Sequence, residues 1–188
     1  MILEITEHDH PALRTRGRPV EKVDVKIRRL AEEMIETMRA AEGIGLAAQQ
    51  VGLPLQLFVL DVPHMKDRPS VMRVGGKPVD FEPLMPMVLV NPLIEPFGRT
   101  RIGNEGCLSF PGLRGDVPRP ISVRVKALAL TGEEWEFEAE GLLSRAVQHE
   151  FDHLQGILFI DRMSDEDRLD ELPEEIRQLA RPALVAGR

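Results

Sequence analysis

The stretch between Gly141 and Gly156 constrains the fold more than any other part of this 188-residue chain. Leu142, Leu143, Ala146, Val147 and Leu154 fall along one broad stripe, which predicts a largely buried helix over 142–155. Set into that helix is His149-Glu150-Phe151-Asp152-His153. Residues four apart lie on one helical face, so both imidazoles can reach a single metal ion. Glu150, beside the first histidine, is placed to take a proton from a water at that ion. Two histidines do not complete a tetrahedral site; a third protein ligand must come from elsewhere, with the fourth position left to water. The chain must therefore bring a distant donor to a buried helix.

Cys107 is the natural third donor. It is the chain's one cysteine and sits in Asn104-Glu105-Gly106-Cys107-Leu108-Ser109-Phe110-Pro111-Gly112, where glycines and a proline predict a shaped loop. A thiolate with two imidazoles suits Zn(II) or Fe(II) and makes a poor cage for Mg(II) or Ca(II). Taken alone, a free cysteine is more often a small buried hydrophobe; the neighbouring histidine motif favours the ligand. His8, His10 and His64 lie in loop-like contexts and carry no such pattern. A further stretch, 43–50, reads GIGLAAQQ. It lacks the lysine and the third glycine of phosphate- and dinucleotide-binding loops. Its small residues let backbone approach a ligand closely, and a glutamine amide there can donate to a carbonyl oxygen. A tight packing turn between helix and strand accounts for it equally well.

The rest of the chain supplies the scaffold. Asp24 reads as a helix N-cap, with Ile27, Leu30, Ala31, Met34, Ile35 and Met38 at helical spacing and Gly43 as the stop. Residues 55–61 predict a buried strand, 63–86 a long loop or loose hairpin, and 87–91 a short strand. Ile121, Val123 and Val125, then Trp135, Phe137 and Ala139 across Thr131-Gly132, predict a hairpin. Ser164 and Asp167 resemble a cap for a last acidic helix, with Pro173 breaking it. Strands grouped between helices indicate α+β rather than alternating α/β. A formal net charge of −7 argues against DNA or RNA as the main substrate. A single cysteine excludes an intramolecular disulfide. The N-terminus lacks the features of a signal peptide, and no apolar run approaches the roughly 20 residues needed to span a bilayer.

Together, GIGLAAQQ (43–50), EGCLS (105–109) and HEFDH (149–153) resemble, in order and spacing, the peptide deformylase family. The resemblance runs from about residue 13 to 159 and implies an α+β fold with antiparallel sheets packed around a central metal-binding helix. The whole chain, 1–188, is then one catalytic domain with an acidic helical tail over about 164–188. It further implies that Cys107, His149 and His153 bind the metal and that Glu150 is the general acid/base. Gln50, through its amide, and Leu108, through its N–H, would stabilise the oxyanion; Gly45 would contact the substrate backbone, and Arg114 matches a substrate-side arginine. The implied ion is Fe(II) in the cell, with Zn(II), Ni(II) or Co(II) in purified protein. The implied substrates are formyl-methionyl nascent peptides, met in a bacterial cytoplasm with transient ribosome association. No direct DNA binding and no membrane partner are expected. Two rivals stand beside this reading. One is a zinc endopeptidase taking its third ligand from Glu174 or Glu175. The other is a non-enzymatic metal module or formyl-peptide binder, although a structural zinc site would be closed by four protein ligands.

Overall fold

Asp24 starts the first helix as its sequence predicts. Its carboxylate accepts from the amides of Lys26 and Ile27 at 2.9 and 3.0 Å, which satisfies two of the unpaired N–H groups of α1 (Val25–Ala40). Ala31, Met34 and Met38 are buried along one face. Beyond the helix the left-handed residue is Glu42, at φ 55°, rather than Gly43. The Gly43 amide donates back to the Met38 carbonyl, and a side chain at 43 would meet Leu108 Cδ1 at 2.7 Å, so close packing is what position 43 demands. The computed structural model describes residues 1–163 and 172–181. The Ser164–Asp167 cap and the parts of the expected acidic tail over 164–171 and 182–188 lie outside them; within 172–181 there is one short helix, α3 (Glu174–Arg177).

Seven strands follow α1 before the second helix: β1 (Gly45–Ala47), β2 (Leu57–Leu60), β3 (Ser70–Val74), β4 (Lys77–Val79), β5 (Met87–Cys107), β6 (Phe110–Leu128) and β7 (Glu134–Gly141). They pair antiparallel throughout, in one sheet ordered β1-β2-β5-β6-β7-β3-β4. The fold is α+β, with a single curled sheet around the helix where several were expected. The loose hairpin predicted over 63–86 is β3–β4, turned by Gly75 and Gly76 at φ 57° and 76°. In β2, Leu57 and Val59 face α1 while Phe58 and Leu60 face the opposite layer, which explains its unbroken apolar run.

That opposite layer is α2 (Leu142–Leu154). Leu142, Leu143, Ala146, Val147 and Leu154 pack against Phe58, Met72, Leu89, Val123, Val125, Phe137 and Ala139, drawn from five strands. Each fully buried leucine or valine is worth about 1.5–3 kcal/mol, enough to hold a helix whose opposite face is polar. Gly141 at the N-cap of α2 has no side chain to offer; instead Pro69 O and Ser70 Oγ accept from the amides of Leu142 and Leu143.

The hairpin β5–β6 differs most from expectation. The strand predicted over 87–91 is only the root of one 21 residues long, and 104–112 is its tip rather than a loop. Residues 95–101 are exposed, so no buried face imposes the two-residue alternation by which strands are recognised. The register also shifts at Val90/Leu93, Phe97/Thr100 and Gly106/Cys107. At the last shift Pro111, Gly112 and Leu113 bulge from β6, with Gly112 at φ 74°.

Candidate metal centre and catalytic cleft

Helix α2 and the tip of the β5–β6 hairpin meet at one point. α2 presents His149 and His153 one turn apart, and the tip presents Cys107, paired with Phe110 across a two-residue turn of Leu108 and Ser109. One ligand atom from each of Cys107, His149 and His153 lies within 4.8 Å of the other two. Cys107 Sγ is 3.3 Å from His153 Nε2. Sulfur with two imidazole nitrogens is a donor set for Zn(II) or Fe(II), not for a hard oxygen-seeking ion. Glu150 stands beside them, buried, and its Oε2 has no hydrogen-bond partner among the described residues. A buried carboxylate oxygen left without a donor suits a site that brings its own water. A second convergence, His64, Asp80 and Glu82, is fully exposed, as surface acidic groups commonly are without an ion. Glu174 and Glu175 lie exposed on α3, away from the three donors.

Behind the donors lies a charged network that the sequence did not announce. Glu105 is buried, and its Oε2 lies 2.9 Å from His149 Nδ1. With Glu105 ionised, Nδ1 holds the proton and Nε2 keeps the lone pair a metal needs. Arg119 grips both Glu105 oxygens at 2.6 and 2.9 Å and reaches Asp152 at 2.8 Å; Arg145 adds a bond to Glu105 Oε1 at 2.7 Å, and Arg162 holds Asp152. Burial opposes the charge on Glu105, but Arg119 and His149 outweigh it and hold its carboxyl well below the usual carboxylate range. The same pairing raises Arg119 against its own burial. His149 is raised well above the ordinary histidine value, since bonds to Cys107 and Glu105 overcome desolvation. His153 is driven the other way by burial and by the charge of His149. Burial chiefly pushes Glu150 up to about 7.

The remaining predicted residues line the same cleft, of about 520 Å³. Gln50 Oε1 accepts from the Ala47 amide at 2.8 Å, which turns its Nε2 towards Cys107 Sγ at 3.4 Å and Ser109 Oγ at 3.3 Å. Gly45 backs onto Glu150, whose carboxylate occupies the space a side chain there would need. Leu108 stands in the hairpin turn, outside the ladder, and Arg114 sits at the exposed rim, its Nε donating to Asn104 Oδ1 at 2.6 Å. Of the residues sequence reasoning missed, Glu105 lay inside a recognised motif, and Asp152 inside another. Arg119 and Arg145 carried no signal, because arginines that will be buried look like arginines that will not.

A family model described as polypeptide deformylase matches residues 2–169. A peptide deformylase of Methylacidiphilum infernorum (isolate V4) is 50% identical over 181 residues, 96% of this chain and 94% of the relative. A crystal structure of a peptide deformylase from Synechococcus elongatus in complex with actinonin is similar at a TM-score of 0.81 and 36% identity, covering 96% of this chain and 91% of that one. A Met-Ala-Ser-bound peptide deformylase from Acinetobacter baumannii is similar at 0.75 and 32%, covering 87% and 99%.

Proposed function

Because the chain belongs to the polypeptide deformylase family, we propose that Cys107, His149 and His153 hold its metal and that Glu150 moves the protons of the reaction. The protein is a metal-dependent hydrolase that removes the N-terminal formyl group from nascent polypeptides. The observation that carries the site assignment is the meeting of three S and N donors beside a buried, unpartnered carboxylate oxygen. When bound, an ion of the Fe(II) or Zn(II) class supplies Lewis acidity and lowers the pKa of water from 15.7 to about 7.

The chain's own groups do the rest. Glu150 Oε2 accepts the attacking water's proton, and burial, which raises its carboxyl above the usual carboxylate range, favours its holding that proton until it is returned. Negative charge gathers on the formyl oxygen, where Gln50 Nε2 and the Leu108 N–H donate to it. Glu150 then protonates the leaving amine, giving formate and a free N-terminus. β1 is an edge strand, so the Gly45 backbone can pair with an extended peptide, and Arg114 at the rim meets the peptide further on.

In the cell the ion is Fe(II), with Zn(II), Ni(II) or Co(II) able to replace it; the donor set supports this group of metals. The substrates carry formyl-methionine, a reading supported by the Met-Ala-Ser bound in the Acinetobacter baumannii neighbour. The chain works as one catalytic domain in a bacterial cytoplasm, with transient ribosome association; its bacterial relatives support the setting. Among the described residues no helix is long and apolar enough to cross a membrane. The test is formate release from formyl-Met-Ala-Ser by Fe(II)-loaded protein purified without oxygen. Glu150→Ala should retain one ion and lose release almost entirely. Substantial release by that variant would overturn the role of Glu150, and none by the metal-loaded wild type would overturn the function.

A further inference from the structure

Arg145 touches neither the three donors nor any group assigned above to the substrate, yet four acceptors meet its guanidinium. It stands on α2 one turn before His149, with its side chain 13% exposed. Its Nη1 donates to Glu105 Oε1 at 2.7 Å, to Val117 O at 2.8 Å and to Gly103 O at 3.4 Å, and its Nη2 donates to Arg101 O at 2.8 Å. One side chain thus ties α2 to both strands of the long hairpin. It also lies flat over Gly103. A Cβ at 103 would come within 2.7, 2.8 and 2.9 Å of Arg145 Cζ, Nη2 and Nε, and these are its three nearest atoms. On its far side lies a neighbouring cleft of about 390 Å³, so Arg145 walls both spaces.

The geometry of Glu105 gives this clamp a purpose. Arg119 grips both Glu105 oxygens from β6 and reaches α2 only through Asp152, whereas Arg145 bonds to Glu105 from α2 itself, one turn before His149. Arg145 adds a bond to Oε1 alone, leaving Oε2 for His149 Nδ1. We propose that Arg145 is a positioning residue: through Glu105 it sets the orientation of His149 as a ligand, and Gly103 is glycine so that the guanidinium can lie where this requires. The inference rests on the assignment of Cys107, His149 and His153 as the ligands.

The test is the rate at which Co(II)-loaded protein loses its ion to excess chelator, read beside the visible Co(II) spectrum. Groups that orient ligands from behind typically change metal affinity or activity by 10–100-fold. Arg145→Met should therefore speed Co(II) loss at least about 10-fold and shift the spectrum, with kcat falling more than KM rises. Arg145→Lys, which keeps the charge but not the fork, should lie between. Gly103→Ala in the wild-type background should reproduce much of the methionine effect, and in the Arg145→Met background should add little. Loss within two-fold of wild type for a folded Arg145→Met protein, or strictly additive effects of the two substitutions, would overturn the proposal. Cys107→Ser separates the two levels. If it abolishes tight Co(II) binding while Arg145→Met does nothing, only the positioning role fails; if it leaves binding intact, the ligand assignment fails with it.

Discussion

Replacing Arg119 with methionine removes the cation that, among the described residues, joins both buried carboxylates behind the proposed metal site. The substitution keeps most of the aliphatic volume, so the cavity contribution is small and the electrostatic one dominates. Breaking a buried pair by deleting one partner costs about 3–5 kcal/mol, because a charge is left uncompensated in the interior. Here Glu105 would retain Arg145 and His149, and Asp152 would retain Arg162. That points to the lower end, about 3 kcal/mol, or a fall in Tm of roughly 6–12 °C for a chain of this size. Urea unfolding of the metal-free protein, followed by circular dichroism, measures it without the contribution of ion binding to the native state. The dependence on pH is a second, stricter readout. Glu105 is held ionised well below its unfolded value of about 4.3, so its contribution is complete above about pH 5 and is lost as pH falls towards the folded value. Without Arg119 the folded value rises and less stability remains to be lost, so the gap between wild type and variant should narrow from pH 7 to pH 4. A deficit below about 1 kcal/mol at pH 7, or a gap that widens on acidification, would refute the account of Glu105 as a compensated buried anion.

Two further outcomes follow from the site's geometry. Gly45→Ala should displace the Glu150 carboxylate, since a Cβ there would occupy its place; kcat should drop by an amount approaching that of Glu150→Ala while the protein still binds one ion, and near-normal turnover would show that the contact is dispensable. Because His149 holds its proton well above the ordinary histidine range without an ion, loading Zn(II) at pH 7 should release protons beyond those of the thiol and weaken as pH falls; calorimetry in buffers of different ionisation enthalpy measures the release, and a value that ignores pH would contradict the assignment.

The candidate donors were legible in the sequence because their spacing is chemical as well as structural. His149 and His153 share a face in any helix, and in α2 that face is buried along with Leu143 and Val147. The β6–β7 hairpin was equally plain, since Val123, Val125 and Phe137 alternate with Arg124, Lys126, Glu136 and Glu138 across a sheet with one wet face. The middle of β5 was not, because residues 95–101 are exposed on both faces and register shifts interrupt the ladder on either side of them. Nor was the pairing of Glu105 with Arg119 and Arg145, which are 14 and 40 residues away and are brought together only by the hairpin and by its contact with α2. Local patterns report the company a residue keeps along the chain, whereas a buried ion pair depends on company from elsewhere.

The division of the site between a hairpin tip and a later helix also sets an order of events during synthesis. Domains are made from the N-terminus, so Cys107 emerges with its strand before the two histidines proposed to share its ion. The Glu105–Arg119 pair lies within the hairpin and is available early, and Gln50 can reach the thiol at the tip, but the His153 ring meets that thiol only once α2 docks. Each new molecule therefore passes through an interval in which Cys107 lacks its helix neighbours, and oxidation of the thiol to a sulfenic or sulfinic acid in that interval would remove the sulfur donor proposed for the metal.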